Sequence, residues 1–113
     1  IFIMEQKDLL LVPFPFSDQS GRKVRPVIVI SKNEFNKYSD DILVVGVTSH
    51  ISKDKYTISL LNKDLEEGKL STECCIKSEN ILKIDKELII KKIGKVNNEK
   101  LIVIIDKIIK ILR

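Results

Sequence analysis

The feature that most constrains this chain is a succession of short apolar segments, rich in Ile, Val and Leu, each cut off by a polar or turn-forming cluster. Pro26–Ser31 (PVIVIS) and Ile42–Thr48 (ILVVGVT) are the clearest of them. β-branched side chains suit a pleated surface, and runs this short are too brief for stable helices. Leu9–Phe16 is also apolar but carries Pro13 and Pro15. Proline cannot donate to a ladder, so this strand should end at an edge or loop. Ser17–Val24 is polar, with Gly21 as its turn, and Asn33–Asp41 and Ser49–Lys55 are polar connections. Tyr56–Leu61, Glu73–Lys77, Ile81–Ile84 and Lys91–Val96 are further strand candidates, and Asn62–Thr72 is a polar stretch turning at Gly68. Gly46, inside an apolar strand, marks a bend or a close backbone approach.

The pattern changes at the end of the chain. Leu101, Ile104, Ile105, Ile108, Ile109 and Leu112 recur at helical spacing, with Asp106, Lys107 and Lys110 on the other face. Asn97 or Asn98 supplies an N-cap. Strands spaced by about 8–12 residues predict a small β-barrel. The expected architecture is therefore mainly β, one domain over residues 1–113, closed by a helix near 97–112. A chain of 113 residues with 43% hydrophobic content buries a core without covalent staples. No stretch reaches the roughly 18 apolar residues of a membrane span, and the apolar start Ile1-Phe2-Ile3-Met4 is expected to be too short for a signal peptide. Adjacent Cys74 and Cys75 point to opposite faces of a strand and are poorly placed to bond each other. They are expected to be small buried hydrophobes in a reducing cytoplasm. A net charge of +4 suits a polyanionic partner, although solvated lysines produce the same excess.

Most catalytic signatures are missing. The chain has no phosphate-binding glycine loop, no nucleophile elbow and no metal-ligand spacing, so no metal and no cofactor is expected. One histidine, His50, excludes a two-histidine ribonuclease mechanism within one chain. Asp40–Asp41 and Glu66–Glu67 are expected to be solvated loop residues. Arg25 stands out, since Pro26 holds it extended at the mouth of an apolar strand. A guanidinium there needs an acceptor. Two readings stand side by side: a fork for phosphate oxygens, or a structural arginine paired with Asp18 or Asp41. Val47-Thr48-Ser49-His50 ends the next apolar strand. It is either the start of a loop or, if the strand continues, a face shared by Thr48 and His50.

These residues also carry a resemblance. DLLLVPFPFSDQSGRKVRPVIVIS (Asp8–Ser31), DILVVGVTS (Asp41–Ser49) and ENILKIDKELIIKKIGKV (Glu79–Val96) resemble the MazF/PemK toxins of type II toxin–antitoxin systems over nearly the whole chain. Two departures are visible: Lys7 stands where the family often has Gly, and Leu82 where it often has an aromatic or Arg. The resemblance implies an SH3-like β-barrel and metal-independent cleavage of single-stranded RNA, leaving a 2′,3′-cyclic phosphate and a 5′-hydroxyl. It implies a homodimer, a cognate antitoxin covering the RNA groove, and DNA binding through the antitoxin complex. Arg25 and Thr48 are then the expected catalytic pair. Phe16, Ser17, Asp18, Arg22, Lys23, Ser49 and His50 are expected to contact RNA, with Phe16 stacking on a base and Phe14 remaining in the core. Competing readings are a gyrase-inhibiting toxin of the same fold, which the lack of Trp disfavours, a peptide-binding barrel, which the 5% aromatic content disfavours, and a toxin that has lost cleavage.

Overall fold

A computed structural model describes residues 3–14 and 23–113, with the side chains of Phe14 and Lys23 outside the description. The strands are β1 (Asp8–Phe14), β2 (Lys23–Val29), β3 (Asp41–Thr48), β4 (Thr57–Leu60), β5 (Leu65–Gly68), β6 (Cys74–Asp85) and β7 (Lys91–Val96). The helices are α1 (Asn33–Tyr38) and α2 (Asn98–Leu112). All described strands join one antiparallel sheet in the order β4-β6-β3-β2-β1-β7-β5. The sheet curls into a half-barrel with α2 against β6, which bears out the expected mainly-β fold with a C-terminal helix.

Both faces of the central strands are buried, which explains their nearly unbroken apolar runs. Leu9, Ile28, Val45, Val47, Ile58, Leu60, Ile76 and Val96 form one core, which Ile104 of α2 completes. Their sequence neighbours Leu10, Val27, Val29 and Val44, with Val12, Ile42 and Ile84, form a second core on the opposite face. Alternation along each strand sends successive side chains to different cores. A curled sheet can bury both sets, at about 1.5–3 kcal/mol per large side chain. Asn97 caps α2 by accepting from the Lys100 amide at 2.8 Å. No described helix is long and apolar enough to cross a membrane.

Three elements differ from the sequence expectation. The polar connection at 33–41 contains α1. Its Asn36 is buried, donates to the Ser31 carbonyl at 2.9 Å and accepts from the Ser31 hydroxyl. The Leu43 amide donates to the same hydroxyl at 3.0 Å, so one side-chain network ties the helix to β3. The polar stretch 62–72 contains β5, whose pairing with β7 supplies the order that its side chains lack. The two short strands expected at 73–77 and 81–84 are one strand, β6. Val45 pairs with Ile81 and Gly46 with Lys77, so the polar residues 78–80 are absorbed as an irregularity inside the ladder.

Candidate nucleic-acid interface

Arg25 is placed by its backbone. It pairs with Val12 across β1, and the β2–β3 register runs through Val27–Gly46. Extending that register by two residues on each strand sets Arg25 opposite Thr48. Side chains two apart share a face, so both project on the side of Val27 and Gly46. Pro26, opposite Leu11, keeps Arg25 before it in an extended conformation.

Two hollows meet at this point. One, of about 610 Å³, has an apolar floor that includes Val47, Leu70, Cys74 and Ile93 and a polar rim of Ser49, Lys69, Ser71 and Thr72. The other, of about 220 Å³, is lined by Gly46, Lys77 and Asn80. Arg25, Val47 and Thr48 line both. Three cations, Arg25, Lys69 and Lys77, border the pair, and no described carboxylate does. Among the described residues no three His, Cys, Asp or Glu side chains converge to hold a metal ion.

The Thr48 hydroxyl oxygen accepts from the His50 amide at 3.1 Å. One of its lone pairs is thereby engaged, and its proton remains available to donate outward. Gly46 has a steric role. A Cβ there would lie 2.5 Å from Asn80 Nδ2, so the absent side chain is what lets the Asn80 amide lie over β3. Lys77 holds Asp54 at 3.0 Å and Glu79 at 3.8 Å. Its hydrogen bond to Asp54 pushes the Lys77 ammonium above its ordinary value. The Asp54 carboxyl is held low by hydrogen bonds from Ser52 and then Lys77. Burial raises the Cys74 thiol, and both cysteines are free and buried.

Of the expected site residues, Arg25, Thr48 and Ser49 come together. His50 is exposed in the bend after β3, which ends at Thr48, and it lines neither hollow. Phe16, Ser17, Asp18 and Arg22, with the side chain of Lys23, lie outside the described residues. The structural alternative that paired Arg25 with Asp41 is overturned. Asp41 opens β3 at the end away from Thr48, about 23 Å along the strand at the usual rise, and lies 4.0 Å from Lys83. Lys69, Lys77 and Asn80 were missed by sequence reasoning. Only Gly46 signalled them, as a place where something approaches the backbone.

A curled antiparallel sheet with one terminal helix, and a double hollow bordered by cations at the β2–β3 end, defines a small β protein with a candidate polar site. Its fold is that of MazF structures. MazF in a MazE–MazF crystal structure from Deinococcus radiodurans superposes with a TM-score of 0.78 at 17% identity, covering 98% of this chain and 97% of that one. An endoribonuclease in complex with its cognate antitoxin from a mycobacterial species gives 0.74 at 14% identity, covering 96% and 94%. The toxin MazF-mt6 of Mycobacterium tuberculosis gives 0.75 at 12%, covering 93% and 95%. The model of the PemK-like, MazF-like toxins of type II toxin–antitoxin systems matches residues 5–112. The chain belongs to that family and is a MazF-like toxin.

Proposed function

We propose that this toxin is an endoribonuclease that cleaves single-stranded RNA without a metal ion. In this reading the ribose 2′-hydroxyl attacks the adjacent phosphorus. The bond to the 5′-oxygen of the next nucleotide breaks, leaving a 2′,3′-cyclic phosphate and a 5′-hydroxyl. The nucleophile belongs to the substrate; the proton it loses goes to an acceptor and the departing 5′-oxygen gains one from a donor, while the protein orients the phosphate and stabilises the charge that builds on it. The observation that carries the reading is the meeting of Arg25 and Thr48 at the junction of two cationic hollows. The Arg25 guanidinium offers a planar fork to the phosphorane oxygens. Thr48, with its oxygen already engaged by His50, donates to a non-bridging oxygen. Donors aimed at developing charge are commonly worth ~3–4 kcal/mol each. Ser49 and Lys69 hold flanking phosphates, and the apolar floor of the larger hollow accepts a base.

The relatives described as bound to a cognate antitoxin or to MazE support a protein antitoxin as partner, covering the same cationic wall. The toxin acts as a homodimer in a reducing cytoplasm, where Cys74 and Cys75 remain thiols. The test is incubation of the purified protein with mixed-sequence RNA in EDTA, followed by mapping of the ends. Cyclic-phosphate and 5′-hydroxyl ends are expected. Arg25→Ala should abolish cleavage while leaving thermal unfolding unchanged, and Thr48→Ala should slow single-turnover cleavage by about 100-fold or more. Full cleavage by folded Arg25→Ala would sink the assignment.

A further inference from the structure

The Lys77 side chain borders the smaller hollow beside Arg25, Thr48 and Asn80, yet its ammonium sits at 3.0 Å from the Asp54 carboxylate, 3.3 Å from the Thr57 hydroxyl and, more loosely, 3.8 Å from the Glu79 carboxylate. Asp54 lies in the connection between β3 and β4, where the Ser52 hydroxyl donates to it at 2.8 Å. The carboxylate side chain is 69% exposed and that of Lys77 is 25% exposed. A pair this open to water is weak and screened by salt. The Lys77 side chain nevertheless lines a hollow that neither Asp54 nor Glu79 lines. Asp54 thus approaches Lys77 from outside the hollow.

We propose that Lys77 is a second phosphate-binding cation of this site, and that Asp54 occupies it in the free toxin until an RNA phosphate takes its place. The proposal rests on the RNA-cleaving reading above. A phosphate oxygen accepts from the ammonium as the carboxylate does, so the exchange leaves no cation unpaired. Release of Asp54 costs little because the carboxylate faces water and keeps its Ser52 donor. Lys77 projects on the same face as Gly46, its partner across β3, and therefore on the face of Thr48 and Arg25. A strand passing Arg25 thus meets Lys77 on one side and Lys69 on the other.

A purely structural Lys77 would tether the β3–β4 connection, and removing either partner would then have the same effect. The two roles predict opposite signs for Asp54. The measurement is the affinity of the purified full chain for a fluorescent, non-cleavable 2′-deoxy oligonucleotide across a salt series. Lys77→Gln is expected to weaken binding about five-fold and to lower the log–log salt slope by about 0.7, as for one lost single-strand phosphate contact. Asp54→Asn is expected to tighten binding about three-fold, and that gain should vanish in the Lys77→Gln background, the sign of direct coupling. Lys77→Arg should restore binding. Losses from both single substitutions, or an Asp54→Asn gain that survives without Lys77, would overturn the proposal. Arg25→Ala separates the two levels. If it abolishes RNA cleavage while the Lys77 and Asp54 variants bind as wild type, the inference fails and the nuclease reading stands. If folded Arg25→Ala cleaves normally, both fail.

Discussion

Lys7 shows how one residue can sit against its own backbone preference. Its φ is +83°, in the left-handed region, which costs an L-residue about 1–2 kcal/mol. The surroundings enforce it: the Lys7 amide donates to Val29 at 2.9 Å and its carbonyl accepts from Val96 at 3.0 Å. This is the position where the MazF/PemK resemblance often has Gly, and Lys here carries a physical cost. The Lys7–Glu66 ion pair at 3.1 Å offsets part of it, at about 0–1 kcal/mol for an exposed pair. Lys7→Gly should raise stability by up to ~1 kcal/mol, since relief of the strain exceeds the added unfolded-state entropy. Urea unfolding checks this, and a lower midpoint would mean that the Glu66 pair outweighs the strain. Gly46 works in the opposite sense, since there the missing side chain makes room for Asn80.

At the scale of elements, the start of β1 is tied to β7 by charge. Asp8 is fully buried, accepts from the Glu5 amide at 2.8 Å and lies 3.4 Å from Lys92 and 3.9 Å from Lys95. Lys95 also holds Glu5 at 2.8 Å. That hydrogen bond lowers the Glu5 carboxyl below its ordinary 4.5 and raises the Lys95 ammonium above its ordinary 10.5. A carboxyl lowered on folding adds stability above its unfolded value, and that stability is lost as the pH falls through the folded value. Wild type should therefore be more stable than Glu5→Gln at neutral pH, and the difference should close as the pH drops below 4.5. Denaturant midpoints measured from acid to neutral pH test this. A gap independent of pH would assign the effect to packing.

At the scale of the whole molecule, α2 buries Leu101 and Ile104 but leaves Ile102 65% and Leu112 74% exposed, with Ile105 and Ile109 also exposed. Helical spacing places Ile102, Ile105, Ile109 and Leu112 along one stripe beside the buried residues. A continuous apolar stripe of this kind marks an association surface. The chain should form a homodimer in which this stripe is partly covered, and light scattering should give twice the 13.0 kDa of one chain. Ile109→Lys should shift the mass toward the monomer with little loss of folding. A wild-type monomer at micromolar concentration would refute the dimer.

Local chemistry alone carries the strand-rich order, the terminal helix with a cap at Asn97 or Asn98, and the odd placement of Arg25, whereas the pairing of Arg25 with Thr48 comes from the MazF/PemK resemblance. The first three depend on periodicity, capping or the restriction that Pro26 imposes on its neighbour, and these act over a few positions. Tertiary structure decides the rest. α1 forms where the chain looks like a loop, because Asn36 finds Ser31 and β3 closes the network. β5 exists because β7 is there to pair with it. Polar residues 78–80 stay within β6 because the ladder with β3 resumes on both sides of them. Lys77 and Asn80 reach the site for the same reason: they lie about thirty positions from Gly46 and Thr48 in sequence, and only the β3–β6 register brings them alongside. Spacing along the chain cannot encode a partner chosen by sheet pairing, so the cations that border Arg25 emerge only once the sheet has curled.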